Sequence, residues 1–94
     1  MDLRNKFVVV RTTNAGVHTG TLVSVVGQTV MLSDGRRIYR WRGAKTLHEI
    51  ALHGCDMEYS RISESVASIL LLDAIEVIPT TEEARKNLEV SRWN

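Results

Sequence analysis

The chain is poor in the residues that staple or interrupt small folds: it has one cysteine, Cys55, and one proline, Pro79, in 94 residues. A lone thiol closes no internal disulfide and makes no cysteine metal cluster, which points to a reducing compartment. Common catalytic signatures are missing too, since no P-loop, GxSxG, HExxH or CxxC occurs. His48 and His53 are five residues apart, which on a helix places them on separate faces, so they are not expected to chelate a metal. The longest apolar stretch, "ASILLLDAIEVIP", is interrupted by Asp73 and Glu76 and is too short to cross a bilayer. The start, "MDLRNKFVVV", carries charges where a signal peptide needs a long apolar run, so a cytosolic location is expected. From these absences we expect no enzymatic activity, no cofactor, no metal and no membrane contact.

What is present is an ordinary globular composition, with 44% hydrophobic and 24% charged residues. One domain over residues 1–94 is expected. A chain this short buries only about 60 to 65% of its unfolded surface, so association with further copies of itself is expected as well. The net charge of +1 hides an asymmetry: residues 1–45 hold eight basic and two acidic side chains, whereas residues 46–94 hold four basic and nine acidic. Such a split presents a basic face to an anion or docks one half on the other half of a neighbour.

Patterning predicts an α+β fold: a curved antiparallel sheet, with a four-stranded N-terminal meander plus a later strand, and two short helices. The β-branched run "KFVVVRTT" is followed by the turn signal "NAG", and "VHTGTLVSV" then breaks at "GQ". "TVMLS" and "RRIYRW" read as strands three and four, joined by Asp34-Gly35, a strong hairpin signal. Thr46 and Glu49 form a capping box before "LHEIALHG", which ends at Gly54. Residues 55–65 read as loop and residues 69–78 as strand closed by Pro79. Thr80 and Glu83 open a C-terminal helix.

The segment "LSDGRRIYRWRGA" places four arginines and two aromatics within Arg36–Arg42. In an extended chain Arg36, Ile38, Arg40 and Arg42 point one way, and Arg37, Tyr39 and Trp41 the other. Arginines on alternate positions are about 6.5 to 7 Å apart. That spacing approximates successive phosphates, and guanidinium groups bind phosphate bidentately. The alternatives are a solvated strand, an edge protected by charge, or ion pairs with Asp73 and Glu76.

The segments "FVVVRT…AGVHTGTL", "LSDGRRIYRWRGA" and "LLLDAIEVIPTTEEA" together resemble a family of small proteins common in tailed-phage genomes. The resemblance implies a phage-encoded protein in the bacterial host cytoplasm. Small accessory phage proteins without catalytic motifs include virion parts, inhibitors of host proteins, and sponges that sequester cyclic nucleotide immune signals. The leading expectation is a non-enzymatic module that binds a small phosphate-containing ligand, such as a cyclic oligonucleotide, between subunits. Arg36, Arg40 and Arg42 would hold phosphate, Trp41 or Tyr39 would stack on a base, and His18 or Thr19 would complete the site. A protein-interaction module acting on a host factor or building a phage assembly is the second expectation. Nucleic-acid binding ranks third, because a net charge of +1 gives little duplex footprint.

Overall fold

Three consecutive valines, Val8, Val9 and Val10, are fully buried. Neighbouring strand residues point to opposite faces, so burying all three requires cover on both sides of the strand. In the computed structural model, which describes residues 2–92, they sit in β1 (Phe7–Thr12). Val8 and Val10 join Leu22, Val30, Leu32, Leu71 and Ala74 in one core cluster. Val9 joins Ile38, Ile50, Ala51, Cys55, Ile62 and Leu88 in a second.

The second cluster is closed by the helices α1 (Leu47–His53) and α2 (Glu82–Leu88), which contribute Ile50, Ala51, Ala84 and Leu88 to the buried set. At the start of α1, Thr46 accepts a hydrogen bond from the Glu49 amide at 3.2 Å, as the capping box predicts, and the Gly54 amide donates to Ile50 O. The N-cap of α2 is Thr81 rather than Thr80. Thr80 instead donates its hydroxyl to Phe7 O at 3.0 Å, tying the chain to β1.

The remaining strands are β2 (Val17–Val26), β3 (Thr29–Arg40), β4 (Arg61–Ile62), β5 (Val66–Leu71) and β6 (Ala74–Pro79). All pairings are antiparallel, in the order β4-β3-β2-β1-β6, with β5 also paired to β3. Only Leu72 and Asp73 link β5 to β6, which pair with β3 and with β1 respectively, so the sheet must curl to bring these strands together. The α+β class and the curved antiparallel sheet agree with the sequence pattern.

The strand count does not. Residues 6–42 form three strands, because Asp34-Gly35 is no turn: β3 runs straight through it. Thr19 pairs with Arg36 and Thr21 with Ser33, so one extra β3 residue is accommodated there as a bulge, with Asp34 at φ 51. Gly20 makes the bulge possible, since a Cβ on it would lie 3.0 Å from Ser33 O. The true two-residue connection is Gly27-Gln28, with Gly27 at φ 60. Residues 69–78 are likewise two strands. Asp73 makes the turn, accepting the Asn14 amide on its carboxylate at 2.7 Å and the Thr13 amide on its carbonyl at 3.0 Å. The region 55–65 is mostly loop but contains β4. Patterning assigns the tail to no element; its Arg92 exchanges two backbone hydrogen bonds with Ile62, and Trp93 and Asn94 lie outside the described residues.

Candidate functional site

A second bulge decides where the arginine segment points. Ile38 pairs with Ile62, but Arg40 pairs with Arg61, so Tyr39 is the extra residue. Adjacent residues of β4 face opposite ways, which puts Arg40 on the face of Arg61, away from the buried Ile38 and Ile62. The expected ladder of Arg36, Arg40 and Arg42 is therefore broken, because Arg36 shares the face of Ile38. Its guanidinium donates to Ser63 O at 3.2 Å and to the Ser91 hydroxyl. Arg36 lines a small cavity of about 200 Å³ with Phe7, Thr21, Asp34, Arg85 and Glu89.

Arg42 lies beyond β3 and stacks over Tyr59, with its guanidinium carbon 5.8 Å from the ring centre. Its backbone is held by Ser60 and by the Asp56 amide. Tyr39 is 60% exposed. Among the described residues none of the four ion pairs involves Arg36, Arg37, Arg40 or Arg42. The alternative of pairing with Asp73 is not seen either, since that carboxylate takes the Asn14 amide.

Trp41 points elsewhere. It packs against the second core cluster and lines a cleft of about 520 Å³, within the range of small-molecule sites. Three parts of the fold converge on this cleft. The β1–β2 hairpin brings Arg11, Thr12, Gly16 and Val17; β6 brings Glu76; the segment leading into α1 brings Trp41 and Lys45, and the first turn of α1 brings His48. Arg11 and Glu76 stand opposite each other in the β1–β6 register. The hairpin is rigid where it meets the cleft, because the Thr12 hydroxyl donates to Gly16 O and accepts the Ala15 amide, each at 2.8 Å. Gly16 has φ 85, and the Arg37 guanidinium lies against it. The side chains of Arg11, Lys45, His48 and Glu76 make no hydrogen bond or ion pair with other described residues. An anion entering here meets two uncommitted cations beside one carboxylate, with an indole as wall.

His18 and Thr19 are structural neighbours of this hairpin. Thr19 is fully buried and donates its hydroxyl to Val8 O at 2.8 Å. His18 is buried, and its Nε2 lies 2.8 Å from Ala15 O. Burial pushes its pKa down; the Ala15 carbonyl opposes this, and the Arg37 charge adds to it. A neutral ring donating from Nε2 leaves Nδ1 as an acceptor, and that atom is buried with no hydrogen-bond partner among the described residues.

Of the sequence-derived site residues, the structure brings only Trp41 to the cleft; Arg36, Arg40, Arg42 and Tyr39 lie at other places. Arg11 and Lys45 enter the sequence pattern only through the basic half, His48 only as a non-chelating histidine and Glu76 only as an ion-pairing acid, so none of the four is among the site residues expected from sequence. They are scattered over 66 positions and converge only through strand register, which no local pattern encodes. Among the described residues no group of three or more His, Cys, Asp or Glu side chains is placed to hold a metal, and no helix is long and apolar enough to cross a membrane.

The family model described as a domain of unknown function, DUF6948, matches residues 5–88, and the chain belongs to that family. No curated protein and no solved structure matches it.

Proposed function

We propose that this member of the DUF6948 family is a non-enzymatic binding module that captures a small phosphate-containing ligand in the cleft beside Trp41. The observation that carries the reading is the convergence of Arg11 and Lys45, whose side chains have no hydrogen-bond or ion-pair partner among the described residues, on a concave site walled by an indole. Guanidinium and ammonium groups bind phosphate oxygens through charge-assisted hydrogen bonds, and Trp41 offers a stacking surface to a base. His48 stands beside them as a further polar contact. The rigid hairpin limits the ordering cost of binding.

Tailed-phage origin and residence in the bacterial host cytoplasm are part of the same proposal and rest on the sequence resemblance. In that setting the module sequesters a cyclic nucleotide immune signal. A thermal-shift screen with cyclic dinucleotides and ADP-ribose-type compounds tests the reading: at least one raises the melting temperature, and a flat response to all of them at high concentration removes it.

A second reading, nucleic-acid binding, is favoured by one observation. Arg40, Arg61 and the Arg42–Tyr59 stack place three cations and an aromatic ring near the end of β3. Its signature is affinity for single strands that falls steeply with salt as counterions are released.

A further inference from the structure

Among the described residues β5 and β6 each have one side without a strand partner, while the outer side of β4 is taken at Ile62 by two backbone hydrogen bonds to Arg92. Unpaired edges invite pairing with another chain, and natural sheets block this with short strands, charge, proline or bulges. β4 is two residues long and carries Arg61. β6 has a register break opposite Arg11/Thr12, carries Glu76 and ends on Pro79. β5 has none of these devices. From Ser65 to Leu72 the chain contains no charged residue and no proline, and the β5 ladder to β3 runs in unbroken register from Val66–Gly35 to Leu71–Val30. No backbone hydrogen bond joins its outer side to another described residue.

The side chains show what an added strand must supply. Ile69 packs on the first core cluster and Leu71 belongs to it, so by alternation Val66, Ser68 and Leu70 point to the other face. Val66 is 47% and Leu70 52% exposed. The missing partner is an extended strand that offers backbone groups and, two positions to either side of its centre, an apolar side chain.

We infer that β5 of a second copy is that strand, paired antiparallel across a two-fold axis at Ser68 to make one sheet continuous through a dimer. β5 is its own complement. In this register Val66 of each copy faces Leu70 of the other, the two small neutral serines meet at the axis, and no like charges oppose each other within the strand. The dimer does not depend on the ligand reading, and its test is separate.

Sedimentation velocity of the wild-type chain, Ser68→Lys, Ser68→Asp and an equimolar mixture of the two variants decides the matter. Ser68 is exposed, so both variants are expected to fold, which circular dichroism checks. The wild type sediments as a dimer. Each variant sediments as a monomer, because identical charges meet at the axis, and the mixture regains the dimer as opposite charges face each other. A monomeric wild type overturns the inference. So do variants that both remain dimeric, or folded variants whose mixture fails to associate.

Discussion

Arg40 of β3 stands directly opposite Arg61 of β4, whereas Ile38, two residues earlier, opposes Ile62. The single extra residue between them, Tyr39, turns the basic end of β3 away from the core and leaves two like charges as cross-strand neighbours. Like charges in that relationship destabilise a sheet by a few tenths of a kcal/mol up to about 1 kcal/mol. Arg40→Glu is therefore expected to raise the urea midpoint at low salt, with the gain shrinking as salt is added. An unchanged or lower midpoint at low salt contradicts the pairing.

His18 makes stability acid-sensitive. Its ring is held neutral by burial, so the folded state binds the proton less readily than the unfolded chain, whose histidine titrates near the ordinary value of 6.5. The contribution is fully present above that value and declines as pH falls below it toward the lower folded pKa. Equilibrium unfolding between pH 7.5 and about 5 is expected to show this loss in the wild type and a flatter profile in His18→Gln. Parallel profiles for the two proteins contradict the assignment.

Gly20 is required by the first bulge. A methyl group there meets the Ser33 carbonyl and the Gly35 Cα at 3.0 and 3.1 Å, and both obstacles are backbone. Gly20→Ala is expected to cost about 1–3 kcal/mol, as overpacking does, measured by urea unfolding. A cost below about 0.5 kcal/mol, the usual range of an unobstructed surface change, shows that the strands separate freely.

Arg92 is the clamp of the C-terminal segment. Its buried guanidinium donates to Asp56 O at 2.7 Å, to Cys55 O at 3.3 Å, to Asn87 Oδ1 at 2.9 Å and to Asn87 O. These acceptors surround a planar donor set that an ammonium group cannot reproduce. Arg92→Ala is expected to lose about 2–4 kcal/mol through unsatisfied buried carbonyls, and Arg92→Lys to recover little of it. Full recovery by lysine shows that charge alone is needed.

Much of the fold was legible because its signals are local. The Asn14–Gly16 turn, the Thr46 cap and the Gly54 terminus each depend on residues within a few positions of one another. Asp34-Gly35 misled because the same pair that closes a hairpin also suits a bulge, and Gly20 on the facing strand decides between them. The arginine ladder failed for the same reason at Tyr39, since alternation holds only while the register is unbroken. The cleft was illegible: Arg11 and Glu76 are neighbours through the β1–β6 pairing, across 65 positions of sequence.

The most direct measurement is calorimetric titration with the cyclic dinucleotide or ADP-ribose compound that most raises the melting temperature. It is run on the wild type, on Arg11→Ala/Lys45→Ala and on Arg40→Ala/Arg42→Ala. If the anion sits beside Trp41, loss of the Arg11 and Lys45 contacts weakens binding by at least about tenfold, as expected for removed charge-assisted hydrogen bonds, and the Arg40/Arg42 pair binds like the wild type. Undiminished affinity without Arg11 and Lys45, together with loss at Arg40 and Arg42, places the ligand on the outer face of β3 and contradicts the cleft as its site.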